Sequence, residues 1–299
     1  MKSYKFKKID AFTEGKSSGN PAGVVYLDSI EDITTEGMQK IAKELKGFVN
    51  EVGYIYPLDE DYFNLKYYSS EREVDLCGHA TIAIMHDLIK TSPELLKKDT
   101  IYINTSKGKL SVFNRIHTEN SVFITAPKPV FSDRNVQWPA IAKALRVDER
   151  ILDTTLPISI VNAGLETLLV PIQRLEDILS ITPNLVELKE FCISQSIDII
   201  TVFTKEVSNK DSDYRTRVFA PTFGYLEDPA TGSGNSAFGY YANKNQIWQG
   251  SLMTIEQNGS LDNFNTVKLE FTRDEHDEVQ VSFGGGAVVR IEGVYHLAL

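Results

Sequence analysis

An internal duplication constrains this sequence more than any other feature, because four landmarks recur in the same order in its two halves. The first is a strand, an asparagine in a small-residue turn and another strand; the second is an amphipathic helix that runs into a strand. The third is a strand, an acidic loop and a small-residue helix start, and the fourth is a β-rich tail. In order, the paired segments are 10–28 with 158–172, 37–57 with 184–205, 63–85 with 214–242 and 101–113 with 279–293. A repeat of this kind predicts one folding unit built twice, with loop insertions that shift the spacing.

The duplication predicts an α+β fold of two pseudo-symmetric halves. Each half would be a bent, mostly antiparallel, barrel-like sheet wrapped around one central helix. We expect the first half to span 1–118 and to be completed by a last strand within 288–299, and the second half to span 119–287. A long connection near 119–131 would join them. The alternative is a pair of unrelated α+β domains.

Both predicted central helices begin with small residues. The stretch "CGHATIAIMHDLI" predicts the first helix at Cys77–Ile89, and "GSGNSAFGYYAN" predicts the second at Gly232–Asn243. Helix N-termini carry unpaired N–H groups and a partial positive charge, so two of them facing one cleft would hold a carboxylate or an enolate. Gly78 would let a ligand approach the backbone closely, and His79 and Ser233 would add side-chain donors.

Charge and hydropathy exclude two classes of partner. The 299 residues include 31 basic and 41 acidic side chains, for a formal net charge of −10. Nucleic-acid binding needs a basic surface that neutralises phosphates, so we expect no nucleic-acid partner. The most apolar long segment, 156–172, is interrupted by Asn162, Gly164 and Glu166 and is bounded by prolines. It therefore predicts two strands around a turn and no association with a membrane.

The cysteine content favours a reducing compartment. The two cysteines are Cys77 and Cys192, and the N-terminal stretch alternates polar and apolar residues, which predicts a strand and not a signal peptide. Free thiols without a targeting segment are typical of a cytoplasmic protein, and this is the localisation that we expect.

Three ionisable side chains are candidates for chemistry, each with a structural alternative. Glu51 interrupts an apolar run, and it is either a solvent-facing strand residue or a desolvated carboxylate suited to proton transfer. His79 is either a core histidine bonded to a backbone carbonyl or a donor to a ligand. Asp228 precedes a proline and is either a turn residue or a substrate contact. The other histidines show no ligand spacing with each other or with a carboxylate, so no metal site is expected.

Nucleotide-binding and hydrolase motifs are weak or missing in the sequence. "GSGNSA" fits a loose dinucleotide fingerprint, but "EDPAT" stands where the preceding strand would have to end. "TGSGNS" lacks the lysine of a phosphate loop, and the sequence has no Gly-x-Ser-x-Gly elbow. The pattern that remains is a pair of helix N-termini that bind a carboxylate beside an acid/base residue.

Four segments of the sequence resemble the phenazine-biosynthesis isomerase-like family, which has the diaminopimelate-epimerase fold. They are "IDAFTEGKSSGNPAGVVYL", "EVDLCGHATIA", "RVFAPTFGYLEDPATGSGNSA" and "GGGAVVRIEG", in the family's order from the first strand to the last. The resemblance implies two pseudo-symmetric halves, a homodimer, and a reaction that needs no cofactor and no metal.

The resemblance also implies roles for individual residues. The acid/base glutamate of the family falls on Glu51, and its ligand-contacting histidine and aspartate fall on His79 and Asp228; these three are the expected catalytic residues. The substrate-binding positions implied in the same way are Asn20, Gly78, Gly232 and Ser233.

The sequence departs from the family pattern at several positions. Racemases of this fold use a cysteine at each helix start, but here Cys77 is matched by about Thr231, whose hydroxyl cannot act as a thiolate. A one-carboxylate mechanism is therefore favoured, and Cys77 is expected to be structural. Glu51 is followed by Val52 where relatives carry threonine, and the stretch 255–271 lacks their Gly-Arg-Pro-Ser run.

These observations predict a cofactor-independent isomerase. It would move a proton on a small carboxylate-bearing substrate in the cleft between the halves, with Glu51 as general acid/base. One alternative is an amino-acid or hydroxy-acid epimerase or racemase that pairs Glu51 with a second base such as Asp228. Another is a small-carboxylate binding protein that has lost turnover. The family name suggests a phenazine-like biosynthetic process, and the residues themselves do not specify a substrate.

Overall fold

A computed structural model describes residues 2–274 and 276–298 of the chain. In chain order the strands are β1 (Lys2–Ala11), β2 (Asn20–Tyr26), β3 (Glu51–Asp59), β4 (Tyr62–Ser69), β5 (Glu73–Val74), β6 (Thr100–Thr105), β7 (Gly108–Arg115), β8 (Ser121–Thr125), β9 (Val130–Ser132), β10 (Ser159–Asn162), β11 (Glu166–Pro171), β12 (Ile199–Thr204), β13 (Tyr214–Phe219), β14 (Glu227–Asp228), β15 (Leu252–Gln257), β16 (Asn265–Arg273), β17 (Val279–Gly285) and β18 (Ala287–Leu297). The α-helices are α1 (Thr35–Glu44), α2 (Gly78–Thr91), α3 (Pro93–Leu96), α4 (Ile116–Glu119), α5 (Trp138–Leu145), α6 (Leu175–Ser180), α7 (Leu185–Ser194) and α8 (Gly232–Lys244). Short 3-10 helices lie at Ile30–Asp32, Glu149–Ile151 and Pro221–Phe223.

The chain divides into two compact units. The first is Met1–Thr125 together with Gly284–Leu299, and the second is Ala126–Phe283. The last strand, β18, pairs antiparallel with β1, so the end of the chain returns to the first unit. The long connection expected near 119–131 is wrong, because β8 lies within that segment and pairs with β7.

Helix α2 is the centre of the first unit. It is apolar on nearly every side, which is typical of a buried helix, and it packs against β1, β2, β3, β8 and β18. The approach to β3 depends on Gly53, because a Cβ atom there would lie 2.4 Å from Cδ1 of Ile84. The predicted first central helix is therefore confirmed, with Cys77 as its N-cap residue.

The second unit repeats the strand pairing of the first. In the first unit the pairs are β1–β2 antiparallel, β2–β3 parallel, β3–β4 and β4–β5 antiparallel, β4–β6 parallel and β6–β7 antiparallel. The same succession of antiparallel and parallel pairs occurs at β10–β11, β11–β12, β12–β13, β13–β14, β13–β15 and β15–β16. The hydrogen-bond pattern thus confirms the duplication that the four landmarks predicted.

Helix α8 is the centre of the second unit. It packs against β10, β11, β12 and β16, and most of its residues are buried. A separate apolar cluster includes Ile141 of α5, Ile178 of α6 and Leu188 of α7, together with residues of β11 and β12. The second predicted central helix is therefore confirmed as well.

Two further findings concern the helices and the cysteines. Within residues 2–274 and 276–298, none of the helices combines the length and the hydropathy that a membrane crossing needs. Cys77 and Cys192 are both buried free thiols.

Candidate active site

Glu51 is the first residue of β3. It pairs with Ala22 of the parallel strand β2 and with Ser69 of the antiparallel strand β4. The following residue, Val52, is fully buried. Because side chains alternate along a strand, the Glu51 side chain lies on the opposite face of the sheet. The Glu51 side chain itself is 24% exposed, so the carboxylate is partly desolvated while it still reaches water.

Cys77 and His79 lie at the start of α2, next to the Glu51 carboxylate. The backbone of Cys77 is extended, and its side chain makes no capping hydrogen bond; its Sγ lies 3.4 Å from Nδ1 and 4.0 Å from Nε2 of His79. His79 Nε2 lies 3.3 Å from Oε2 of Glu51. The ligand atoms of the three residues all lie within 4.8 Å of one another. The fold therefore brings two of the three predicted catalytic residues together.

The imidazole of His79 is mostly buried, and this sets its charge. Burial lowers the pKa of His79 below its usual value, while the Glu51 carboxylate and a hydrogen bond to the Pro21 carbonyl oppose that shift. Because the net direction is downward, the neutral imidazole is favoured at neutral pH. The contact with the Pro21 carbonyl fits the first alternative drawn from the sequence, and a hydrogen bond from His79 to a ligand stays a prediction.

Asn20 is buried beside the entry to β3. Its Oδ1 accepts a hydrogen bond of 3.1 Å from Nδ2 of Asn50, whose backbone N–H donates to the Pro21 carbonyl at 3.4 Å. Asn50 directly precedes Glu51, so this pair of amides holds the backbone on which the carboxylate stands. The resemblance implied a substrate contact for Asn20, and the structure adds a structural role.

Two buried hydroxyls that the sequence analysis missed hold the start of α2. Thr81 donates from Oγ1 to the Cys77 carbonyl at 2.7 Å, and the same oxygen lies 2.6 Å from the Tyr67 hydroxyl. A threonine inside an otherwise apolar helix was the available signal. These bonds fix the Cys77 backbone and thereby the position of the thiol.

The other predicted site residues lie in the second unit. Asp228 is in β14, and Gly232 and Ser233 open α8. The N-cap residue, Thr231, has an extended backbone and makes no side-chain capping bond; its Oγ1 lies 3.2 Å from Oγ of Ser233. A Cβ atom on Gly232 would lie 2.2 Å from the ring of Phe283, so packing requires glycine there, whatever ligand it meets.

Buried carboxamides fix the turn between β14 and α8. Gln257 donates to the Asp228 carbonyl at 2.9 Å, and its Oε1 accepts from the Thr231 backbone N–H at 3.0 Å and from Nδ2 of Asn235 at 2.6 Å. Asn265 donates to the Pro229 carbonyl at 2.7 Å. Gln257 and Asn265 were missed because they follow the turn by a long stretch of sequence.

A surface depression in the first unit is separate from these residues. Its volume is about 450 Å³, and it is lined by Thr35, Glu36, Gln39, Lys40, Lys43, Tyr68 and Glu73. It shares no residue with the group formed by Glu51, Cys77 and His79, and it offers no comparable set of acid, base and thiol.

The order of motifs and the paired folding units agree with comparisons to known proteins. The model of the phenazine biosynthesis-like protein family matches residues 9–293. The chain belongs to this family. Among curated relatives of the family, the chain is 30% identical over 295 residues to the uncharacterized isomerase YfhB of Bacillus subtilis, covering 96% of this chain and 97% of the relative. It is 27% identical over 300 residues to an uncharacterized isomerase of Clostridium acetobutylicum, covering 97% of both.

A solved structure of a PhzF-family phenazine biosynthesis protein from Bacillus anthracis matches with a TM-score of 0.87 and 25% identity, covering 99% of this chain and 100% of that chain. The resemblance and the α+β fold class predicted from the sequence are therefore confirmed. The family match spans both central helices.

Proposed function

We propose that this protein is an isomerase that moves a proton on a small carboxylate-bearing substrate, with Glu51 as general acid/base. The observation that carries the proposal is the 3.3 Å approach of the Glu51 carboxylate to Nε2 of His79 at the start of a buried helix. Membership of the phenazine biosynthesis-like family and the isomerase names of the two curated relatives support it.

In the proposed reaction, Glu51 takes a proton from a carbon that is activated by an adjacent π-system. The electron pair of the broken C–H bond delocalises into that system, and the protonated Glu51 returns the proton to another carbon on the same face. The double bond shifts and no atom is gained or lost. A single carboxylate that serves both transfers suits this chemistry and requires no cofactor.

His79 would control the charge state of Glu51. A neutral imidazole has one N–H, which either the Pro21 carbonyl or the Glu51 carboxylate can accept. When the carboxylate accepts it, the hydrogen bond stabilises the ionised form of Glu51, which is the form that takes a proton. The burial that lowers the pKa of His79 also makes the imidazole a weaker base. We assign His79 a catalytic role because it would contact both Glu51 and the substrate.

The substrate carboxylate would bind at backbone N–H groups. The first turn of α2 offers the amides of Gly78 and His79, and its Cys77 side chain makes no capping hydrogen bond. The proposal keeps Asp228, Gly232 and Ser233 as substrate contacts, with Asp228 orienting the substrate and sharing its protons. Asn20 remains a substrate-binding candidate on the same basis.

The test is a screen of small unsaturated carboxylic acids by proton NMR in D₂O. We expect wild-type protein to convert at least one acid, and Glu51→Gln to lower that rate by about 10²–10⁴-fold, the range for loss of a general acid/base. The matched control is Glu94→Gln, because Glu94 is an exposed glutamate 3.2 Å from Lys97 on the surface. Equal rates for wild type and Glu51→Gln would contradict the assignment.

The same screen separates the alternatives. A one-base shift retains part of the substrate's own hydrogen in the product, whereas an epimerase with two bases incorporates solvent deuterium at the inverted carbon. A binding protein without turnover would show thermal stabilisation by carboxylates in both wild type and Glu51→Gln, and no product from either.

We also propose that the protein acts as a cytoplasmic homodimer. The family resemblance supports the dimer, and the two cysteines without a disulfide support the cytoplasm. Light scattering coupled to size-exclusion chromatography should give twice the 33.5 kDa chain mass, and a mass of one chain at working concentration would reject the dimer.

A further inference from the structure

Three different metal-binding side chains converge at the start of α2. The carboxylate of Glu51, the thiol of Cys77 and the imidazole of His79 place one ligand atom each within 4.8 Å of the others. We propose that these three residues bind a divalent cation of the zinc type. Spacing along the sequence predicted no metal site, because Glu51 joins the other two only through the tertiary fold.

Two of the three distances between ligand atoms are close to those of a tetrahedral site, and the third, from Glu51 to Cys77, is within 4.8 Å. Bond lengths of about 2.3 Å to sulfur and about 2.0–2.2 Å to nitrogen and oxygen put tetrahedral ligand pairs roughly 3.4–3.6 Å apart. Here His79 Nε2 lies 3.3 Å from the Glu51 oxygen and 4.0 Å from the Cys77 sulfur. Small side-chain rotations would therefore bring all three atoms to bonding distance from one ion.

The type of donor selects the ion. A thiolate and an imidazole favour Zn²⁺ or Co²⁺, whereas Mg²⁺ and Ca²⁺ prefer sites made of oxygen. Binding releases the thiol proton of Cys77 to solvent, because a coordinating thiol is deprotonated. One thiolate and one carboxylate then balance the two positive charges of the ion. The neutral complex is therefore not repelled strongly by the partial positive charge of the helix N-terminus.

Neighbouring groups hold the ligands in place before any ion arrives. The Pro21 carbonyl accepts a hydrogen bond from the His79 ring, and Thr81 holds the Cys77 carbonyl at 2.7 Å. Such outer contacts orient ligands in established metal sites. Three protein ligands also leave a fourth position for water or a substrate oxygen.

The second unit provides an internal contrast. The start of α8 carries the hydroxyls of Thr231 and Ser233 at the positions of the thiol and the imidazole. Hydroxyls are poor ligands for zinc, so the proposed site belongs to α2 alone. An ion at that site would occupy the lone pairs that Glu51 needs for proton transfer, and we expect it to inhibit the proposed isomerase.

The test uses metal-free full-length protein titrated with Zn²⁺ by calorimetry and with Co²⁺ by absorption. We expect one equivalent to bind and a thiolate-to-cobalt charge-transfer band to appear. Cys77→Ser should abolish the band and weaken binding by at least about 100-fold, since even outer-contact mutations cost roughly 10–100-fold. Cys192→Ser is the matched control, because Cys192 is also a buried free thiol, and it should retain both signals.

X-ray absorption at the zinc edge of the wild-type complex provides a readout that needs no variant. One sulfur at about 2.3 Å with nitrogen and oxygen neighbours would support the proposal. A shell without sulfur, no binding at millimolar Zn²⁺, or equal binding by wild type and Cys77→Ser would overturn it. None of these measurements depends on turnover. The proposed metal site can therefore be rejected without rejecting the proposed isomerase, and the isomerase can be rejected without rejecting the metal site.

Discussion

Where α2 begins, a thiol, an imidazole and a carboxylate lie within 4.8 Å of one another; where α8 begins, hydroxyls and carboxamides surround the helix start. The backbone is the same in both places, since each N-cap residue is extended and lacks a side-chain capping bond. A duplicated scaffold has therefore kept its geometry while its side chains diverged. The titratable cluster formed on one copy, and a rigid hydrogen-bonded turn formed on the other.

The acidic residues that enter the corresponding strands show the same divergence. Asp198 precedes β12, and its Oδ2 accepts the Glu166 backbone N–H at 2.8 Å, so its carboxylate serves the backbone. Glu51 opens β3 and lies beside the titratable side chain of His79. Under the proposed function, proton transfer belongs to Glu51 in the first unit, whereas the Asp198 carboxylate supports the backbone of the second.

The largest expected effect is on turnover, which should depend much more on Glu51 beside α2 than on Ser233 at the start of α8. Glu51→Gln should lower turnover by about 10²–10⁴-fold. Ser233→Ala removes at most one neutral hydrogen bond to substrate, worth about 0.5–1.5 kcal/mol, so it should cost roughly 10-fold or less. Steady-state rates on the substrate found by NMR provide the measurement. If Ser233→Ala lowered the rate as much as Glu51→Gln, the two helix starts would contribute equally to turnover and the proposed difference between them would be wrong.

Acid should destabilise α2 through a residue that α8 does not have. His86 is buried in α2 with Nε2 3.1 Å from the Asn120 carbonyl, and burial, aided by Lys90, lowers its pKa from 6.5 to about 4. Between these two pH values His86 is protonated in the unfolded chain but neutral in the folded chain. The free energy of unfolding therefore falls as the pH drops from 6.5 to about 4.

The expected loss from this one group is about 3 kcal/mol across that pH window. Urea unfolding followed by circular dichroism at several pH values measures it, with His86→Gln for comparison. The stability difference between wild type and variant should shrink or reverse as the pH falls. A difference that is constant between pH 6.5 and pH 4 would show that His86 does not carry the effect.

Replacing a tightly packed glycine by alanine should cost more stability in the second unit than in the first. A Cβ atom on Gly232 meets the ring of Phe283 at 2.2 Å, whereas one on Gly53 meets the terminal Cδ1 atom of the Ile84 side chain at 2.4 Å. Overpacking costs typically 1–3 kcal/mol, so Gly232→Ala should approach about 3 kcal/mol and Gly53→Ala about 1 kcal/mol. Thermal and urea unfolding of both variants give the order, and the reverse order would mean that the Phe283 ring can move.

The smallest expected difference concerns the amides that support each helix or strand start. Gln257→Ala leaves the Thr231 N–H without its buried acceptor and removes one of the two acceptors of Asn235 Nδ2, so it should cost about 2 kcal/mol of unfolding free energy. Asn50→Ala removes one partly buried bond to Asn20 and should cost about 1 kcal/mol. Urea unfolding of the two variants compares them. Equal losses of unfolding free energy would show that Gln257 supports the start of α8 no more strongly than Asn50 supports the start of β3.

The sequence predicted the parts of the site that depend on local pattern. Cys77, Gly78 and His79 were placed at a helix start because an apolar helical run follows small residues there, and the structure has α2 begin at Gly78. The expected connection near 119–131 failed because β8 is a short strand whose only signal is an apolar run. Gln257 was missed because a single polar residue at a strand end has no local signature.

The sequence by itself determined that one unit is built twice and where each central helix starts, because strand alternation, helical periodicity and glycine placement act over a few neighbouring residues. Tertiary structure decided which side chains meet. The parallel pairing of β2 with β3 carries Glu51 to the start of α2, where its carboxylate reaches His79. That contact joins residues distant in sequence, and strand register together with helix packing, rather than any local preference, brings them within hydrogen-bonding reach.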